Sequence, residues 1–166
     1  MLRRVLVFGC SGSGKSTLAR RLAARLNVPV THLDHLYWRP DWVEAPLSDF
    51  RAAQAAAVQT NGWVIDGNYS GTMDIRFPLA DTVVFLDVSR WTSLRRVLLR
   101  TLRERGQDTQ APGCLSKVDL EFIRWIWTWR TSHRSRLLSR IAAEAPTARQ
   151  VLLSSSREVE AFLRSV

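Results

Sequence analysis

The sequence predicts an α/β protein with a parallel sheet and helices on both faces. Two observations lead there. Short apolar runs, RVLVFG (4–9), WVID (63–66) and TVVFLD (82–87), alternate with segments whose leucines recur at helical spacing. Each run also ends in a glycine or an aspartate, at Gly9, Asp66 and Asp87. Strand–helix alternation implies right-handed crossovers, and ligands of such sheets bind beyond the carboxyl ends of the strands. The polar ends, with Asp34, should therefore converge on one edge.

The elements follow in order. RVLVFG is continuous and apolar, as a buried parallel strand requires. Leu18, Leu22 and Leu26 then repeat every four residues with Arg20, Arg21 and Arg25 between them, an amphipathic helix stopped near Asn27 and Pro29. VPVTHLD (28–34) is a second strand with Val30 to Leu33 at its centre. Ser48 is expected to cap an alanine-rich helix from about Asp49 to Thr60, closed by Asn61 and Gly62. WVID and TVVFLD are the third and fourth strands. A helix from about Trp91 to Arg105 carries Leu94, Leu98 and Leu102 on one stripe, with Gly106 at its end. GQDTQAPGC (106–114) is a polar loop. Ser116 with Asp119 resembles a capping box opening one long helix to about Glu144, which Pro146 ends. RQVLLS (149–154) is the fifth strand, and Ser155 or Ser156 caps a short last helix.

A chain of 166 residues is expected to form one domain with a real core. Hydrophobic residues at 46% and charged residues at 23% exclude a disordered chain. No apolar run approaches the ~20 residues that span a bilayer. The basic start MLRRVLVFGCSG invites a signal-peptide reading. Its apolar run is only Val5 to Phe8, however, and leads straight into a glycine loop. Cys10 and Cys114 are too few for a disulfide scaffold or a four-ligand zinc site, so a reducing cytoplasm is the expected location. The net charge of +9 is concentrated: residues 90–140 hold twelve Arg and Lys against four acids. That suits an anionic partner, a nucleotide polyphosphate or a nucleic acid. Only Lys15 and Lys117 are lysines, so an arginine bias from codon composition is a second source of the charge.

GCSGSGKST contains Gly9 to Ser16 as G-x-x-x-x-G-K-S, the phosphate-binding P-loop pattern. Glycines let backbone amides turn around phosphate oxygens, and the following helix adds its dipole. Gly9, Cys10, Ser11, Gly12, Ser13, Gly14, Lys15, Ser16 and Thr17 are the candidate nucleotide-binding residues. Lys15 is placed to reach the β- and γ-phosphates and Ser16 to ligate magnesium. The motif follows a strand and opens a helix, which is its confirming context. A P-loop also needs an acid near its magnesium. Asp66 in WVIDGNYS fits, with Gly67 allowing close backbone approach. Asp87 is the competitor, with pairing to Arg90 as its other role.

The next question is the kind of P-loop protein. A GTPase would show D-x-x-G and N-K-x-D, but Asp66 is followed three residues on by Tyr69 and no N-K-x-D exists. The small-kinase plan remains. It has a compact sheet, an acceptor pocket and an arginine-bearing lid. GCSGSGKST, LDHLYWRPDW, VIDGNYSGTMDIR, ADTVVFLD and GC…DLEFIRWIW together resemble the adenylate-kinase-like P-loop proteins known as FlaR-type DNA topology modulation proteins. The likeness covers nearly the whole chain. It implies a nucleoside-kinase-like fold with strand order 2-3-1-4-5, which sets Asp66 beside Ser16. Relatives carry further arginines in the lid where this chain has Gln107 and Thr109. Phosphate clamping then falls to Arg100, Arg103 or Arg105 before the loop, or Arg130, Arg134 or Arg136 after it.

The resulting expectation is an ATP- and Mg²⁺-dependent phosphotransferase acting on a small-molecule acceptor. Its acceptor region spans about 34–76 and its lid about 100–136. Lys15, Asp34, Arg100, Arg130 and Arg134 are the candidate catalytic residues, with Asp34 orienting or deprotonating an acceptor hydroxyl. Ser16 and Asp66 are the candidate magnesium ligands. Asn68, Tyr69 and Arg76 would line the acceptor side, and Tyr37 or Trp38 would give it a flat wall. Cys10 is expected to be open to oxidation or alkylation with loss of binding, and nucleotide to protect it from alkylation. The alternative is a nucleic-acid-associated NTPase or regulatory nucleotide-binding protein, suggested by the basic segment and Trp125, Trp127 and Trp129. On a helix 125 and 129 share a face and 127 points away, which favours core packing for that face.

Overall fold

The computed structural model describes residues 2–103, 111–114 and 119–166. In chain order the elements are β1 (Arg4–Gly9), α1 (Lys15–Leu26), β2 (Val30–His32), α2 (Leu33–Tyr37), β3 (Trp38–Arg39), β4 (Val43–Glu44), α3 (Leu47–Ala57), β5 (Trp63–Asp66), α4 (Met73–Arg76), β6 (Thr82–Leu86), α5 (Arg90–Arg103), α6 (Leu120–Ser132), α7 (Arg134–Glu144), β7 (Arg149–Leu153) and α8 (Ser156–Arg164). The main sheet runs β2-β5-β1-β6-β7, all parallel. Counting only its five strands, the order is 2-3-1-4-5, as the resemblance implied.

Burial explains why the strand sequences are continuously apolar. Val5, Val7, Val64, Val84 and Leu86 face α1 and α8, while Leu6, Phe8, Ile65, Val83 and Phe85 face the helices of the other side. Both faces are covered, so both sets of alternating side chains are apolar. Register then fixes the edge where chemistry is possible. Val7 is level with Asp66, His32 with Asp66, and Gly9 with Leu86.

Several boundaries differ from expectation, each for a physical reason. The second strand is only Val30–His32, because Leu33 starts the short helix α2. The stretch LDHLYWRPDW is therefore α2 followed by a β3–β4 hairpin, turned by Pro40 to Trp42 with φ of 61° at Asp41. Helix α3 starts at Leu47 after Pro46, so Ser48 lies inside it and bonds Asp49 rather than capping. The leucine stripe of α5 is not its buried face. Ser93 and Val97 are buried, while Leu98 and Leu102 are exposed. The P-loop selects that face: a Cβ on Gly12 would stand 2.4 Å from Ser93 O and 2.9 Å from Val97 Cγ2.

The long helix expected to Glu144 is two helices meeting at His133, whose φ is −115°. Hydroxyls cause the kink. Thr131 and Ser132 both donate back to the Thr128 carbonyl at 2.8 Å, a bond that bends helices. Asp119 is the N-cap and accepts from Phe122 N at 2.8 Å. Ser116, like Arg105, Gln107 and Thr109, lies outside the described residues. Ser155 caps α8 and accepts from Glu158 N. No helix among the described residues is long and apolar enough to cross a membrane.

The tryptophans of α6 divide as helical geometry requires. Trp129 is buried and stacked on Phe85 at 5.9 Å between centroids, while Trp127 faces outward against Trp91 and under Arg90. Trp129→Ala should lower the unfolding free energy by about 3–5 kcal/mol, and Trp127→Ala by less than about 1 kcal/mol, in chemical denaturation. Equal losses would contradict the division.

Candidate functional site

The site grows from β1. Its last residue, Gly9, opens a loop that needs left-handed backbone at Gly12 (φ 75°) and Gly14 (φ 98°) before α1 begins at Lys15. Lys15 Nζ donates to Cys10 O at 3.0 Å, so the ammonium lies over the loop. Beside the loop is a cavity of about 350 Å³, lined by loop residues with Lys15, Ser16 and Thr17. Arg20, His32, Asp34, His35, Arg96 and Arg100 also line it.

The end of β5 holds the loop in place. Asp66 is nearly fully buried, accepts from Ser16 Oγ at 2.7 Å through Oδ2, and pairs through Oδ1 with His32 Nδ1. Gly67 follows with φ 132°, where a Cβ would meet Leu33 Cβ at 2.7 Å. That close approach is what the glycine was expected to permit. Asn68 then turns toward Gly9. Gly9 N donates to Asn68 Oδ1 at 3.2 Å, and Asn68 Nδ2 donates to Gly9 O at 3.0 Å. Its carboxamide is bonded to the loop at both ends, so Asn68 steadies the P-loop, and it is not among the residues that line the cavity.

Tyr69 donates its hydroxyl to Asp34 Oδ1 at 2.7 Å. Burial first, then the Asp34 charge, pushes its phenol well above the ordinary tyrosine range. Tyr69 therefore stays a donor and fixes the Asp34 carboxylate at the cavity wall. Tyr37 packs edge-on against Phe50 and lies 4.8 Å from the Tyr69 ring, while Trp38 sits between Tyr37 and Trp42. Neither Tyr37 nor Trp38 lines the cavity. The expected flat wall is an aromatic ladder behind Asp34.

Arg76 is also displaced from its expected place. It is completely buried, donating Nη1 to Gln54 Oε1 at 2.8 Å and Nη2 to Asn68 O at 2.7 Å. Burial among neutral acceptors pulls the guanidinium down to about 9. Its role is to brace the 68–69 turn. Arg134 grips Asp87 with two bonds of 2.9 and 2.8 Å, and Arg130 Nη2 lies 3.7 Å from the same carboxylate. Asp87 thus engages Arg134 of α7 and Arg130 of α6, where pairing with Arg90 was expected. Of the expected lid arginines, Arg100 lines the cavity, whereas Arg130 and Arg134 do not. Arg103 and Arg136 are exposed.

The sequence reading missed Arg20, His32, His35 and Arg96. Arg96 donates to Ser13 O at 2.9 Å, one helical turn before Arg100. That i, i+4 spacing was the signal available. His32 could have been found as the residue level with Asp66 on the neighbouring strand.

The residues present fit a magnesium nucleotide. Ser16 and Asp66 offer hard oxygen donors at the loop, as suits a cation that takes its remaining ligands from water and phosphate. Among the described residues no group of three or more His, Cys, Asp or Glu gathers to hold a metal. Sheet, loop and Ser16–Asp66 pair define a P-loop kinase.

Comparison with known proteins agrees. No protein-family model matches the chain. Uncharacterized protein YqaC of Bacillus subtilis (strain 168) is 29% identical over 129 residues, covering 75% of this chain and 71% of that protein. Shikimate kinase of Corynebacterium jeikeium (strain K411) is 33% identical over 130 residues, covering 66% of this chain and 70% of that protein. Among solved structures, a putative kinase from Chloroflexus aurantiacus j-10-fl matches with TM-score 0.60 and 15% identity over 99% of this chain and 96% of that one. Shikimate kinase from Bacteroides thetaiotaomicron matches with TM-score 0.54 and 20% identity over 99% and 96%. Shikimate kinase from Acinetobacter baumannii, in complex with shikimate, matches with TM-score 0.58 and 16% identity over 99% and 90%. The chain belongs to the shikimate kinase-like family of P-loop kinases.

Cys10 departs from expectation. It is buried, and burial pushes its thiol up to about 11 from 9.0. Burial disfavours the thiolate, so the reactive fraction at pH 8 falls about 100-fold below that of an ordinary thiol. Mass-spectrometric alkylation should find Cys10 slow at pH 8 with or without nucleotide, accelerating about tenfold per pH unit toward 11. A rate at pH 8 equal to that of a free peptide thiol would contradict this.

Proposed function

We propose that this protein is an ATP- and Mg²⁺-dependent kinase that moves the γ-phosphate of ATP to a hydroxyl of a small molecule. The observation that carries the reading is the cavity itself, whose lining includes Lys15 and Ser16 of the loop together with the Tyr69-anchored carboxylate of Asp34. Residues 34–76 are its acceptor side and 100–136 its lid, within one kinase domain.

Each group has a role that follows from its chemistry. The loop amides and Lys15 hold the β- and γ-phosphates, and Arg96 and Arg100 set positive charge beside the transferring group. Ser16 and Asp66 would hold magnesium, which would supply neutralisation of the triphosphate charge. The acceptor hydroxyl oxygen forms a bond to Pγ. The bond from Pγ to the bridging oxygen breaks, and ADP leaves with its electron pair. The acceptor proton passes to Asp34 Oδ2 and then to water, while Oδ1 stays bonded to Tyr69. The Asp34 carboxylate is aimed by the Tyr69 hydroxyl, a donor that stays protonated.

The narrower likeness to FlaR-type proteins rests on LDHLYW and IDGNYS, blocks that supply Asp34, Asp66, Asn68 and Tyr69 of this site. It is compatible with the kinase reading and leaves the acceptor open. The nucleic-acid alternative is weakened because Trp129 is core and Asp87 engages Arg130 and Arg134.

Lys15→Ala should lower ATP-dependent phosphoryl transfer by about 10²–10³-fold. Asp34→Asn should lower kcat while leaving ATP affinity within about threefold, since Asp34 touches the acceptor side. Steady-state ADP release and calorimetric nucleotide binding check both. Unchanged turnover in Lys15→Ala sinks the reading.

A further inference from the structure

Three buried polar side chains take no part in the transfer chemistry described above. Gln54, Thr72 and Arg76 are each no more than 2% exposed. They come from α3, from the turn before α4, and from α4 itself. Arg76 Nη1 donates to Gln54 Oε1 at 2.8 Å, and Gln54 Nε2 donates to Thr72 Oγ1 at 3.0 Å. The Thr72 hydroxyl proton has two oxygens in reach, Tyr69 O at 3.2 Å and Gln54 Oε1 at 3.1 Å, and the second already takes Arg76. Arg76 Nη2 donates to Asn68 O at 2.7 Å and to Tyr69 O at 3.3 Å, and Thr72 N donates to Tyr69 O at 3.2 Å. Arg140 of α7 donates to the next carbonyl, Ser70 O, at 2.6 Å.

These bonds converge on one short turn whose centre is strained. Tyr69 has φ 26° and ψ 68°, a left-handed backbone that a residue with a side chain rarely adopts. Such a conformation persists only where its surroundings over-determine it, and it concentrates at functional sites. In this conformation the Tyr69 ring packs 4.8 Å from Tyr37 and 5.0 Å from Phe50, and its hydroxyl meets Asp34 Oδ1 at 2.7 Å. Apolar side chains of similar volume would pack α3 against α4 without burying a guanidinium. They would offer no donors to the carbonyls of residues 68 and 69.

We infer that Gln54, Thr72 and Arg76 are positioning residues for phosphoryl transfer: their donors hold Tyr69 in the strained conformation that delivers its hydroxyl to Asp34. This rests on the kinase reading and deepens it. None of the three lines the cavity, so each acts through Tyr69. Arg76 also holds Asn68, which is bonded to the P-loop, whereas the Thr72 hydroxyl reaches only Gln54 and Tyr69. Thr72 therefore separates the acceptor carboxylate from nucleotide binding.

The test uses the full chain. Tyr37 and Tyr69 are its two tyrosines, so ¹³Cζ-tyrosine labelling gives two NMR signals, and Tyr37→Phe identifies that of Tyr69. Asp34→Ala gives the position of that signal when the hydroxyl has lost its carboxylate. Two substitutions loosen the hold without emptying the core. Thr72→Val removes the hydroxyl at nearly equal volume. Gln54→Glu keeps an oxygen for Arg76, loses the amide donor, and draws the Thr72 proton away from Tyr69 O. In both, the Tyr69 signal should move toward its Asp34→Ala position, and Thr72→Ser should restore it. With Mg²⁺-ATP, kcat for ADP release should fall about tenfold while the Kd of Mg²⁺-ATP stays within about twofold. Gln54→Glu decides alone if Thr72→Val does not fold by circular dichroism. Folded variants with a lower denaturation midpoint but a wild-type Tyr69 signal and wild-type kcat would overturn the inference, because the cluster would then serve stability only. Failure of the kinase reading looks different: ADP release would be indifferent to Lys15→Ala, while the Tyr69 signal would still respond to Thr72→Val.

Discussion

The buried carboxylate of Asp66 is the constraint on which the site depends. One oxygen takes the Ser16 hydroxyl at the start of α1, and the other takes the His32 ring at the end of β2. A carboxylate this buried is tolerable only when both oxygens are satisfied. Three elements are therefore tied at one point. The next three residues extend that tie in different directions: Gly67 against Leu33, Asn68 onto both polar atoms of Gly9, and Tyr69 onto Asp34. A single tetrapeptide thus ties the P-loop to the Asp34 carboxylate. Arg76, reaching the Asn68 and Tyr69 carbonyls from beneath, holds its backbone in place.

Positive charge collects at the cavity, where Lys15 and Arg20 of α1 and Arg96 and Arg100 of α5 are lining residues. The lid side is tied down in its own way. Arg134 and Arg130 converge on Asp87, joining α6 and α7 to the end of β6. Segment 111–114 docks on the β3–β4 hairpin. Asp41 N donates to Gly113 O at 3.1 Å, and Cys114 Sγ to Arg39 O at 3.3 Å. Segment 111–114 thus rests directly on LDHLYWRPDW.

What could be read from the sequence was what local chemistry encodes. The P-loop was legible because its backbone needs glycine at fixed positions, and the strands because both their faces are buried. Asp34 and Asp66 were legible as polar ends of apolar runs. Long-range pairing was not. Nothing near Asn68 says that its partner is Gly9, and nothing near Arg76 says that Gln54 will receive it. The leucine stripe of α5 misled because the tight approach of Gly12, not side-chain hydrophobicity, chooses that helix's inner face. The kink at His133 was hidden in ordinary helix-compatible residues, Thr131 and Ser132, whose hydroxyls bond back to a carbonyl. His32 escaped because its importance lies in its register with Asp66.

The most direct test of the account is calorimetric titration of ATP, with and without Mg²⁺, into the wild-type chain and Asp66→Asn, with circular dichroism to verify folding. The wild type should bind ATP at least tenfold tighter with Mg²⁺ than without. In a folded Asp66→Asn variant that advantage should vanish, because the amide cannot supply the charge that faces the cation. A folded variant that keeps the full Mg²⁺ advantage would contradict the account.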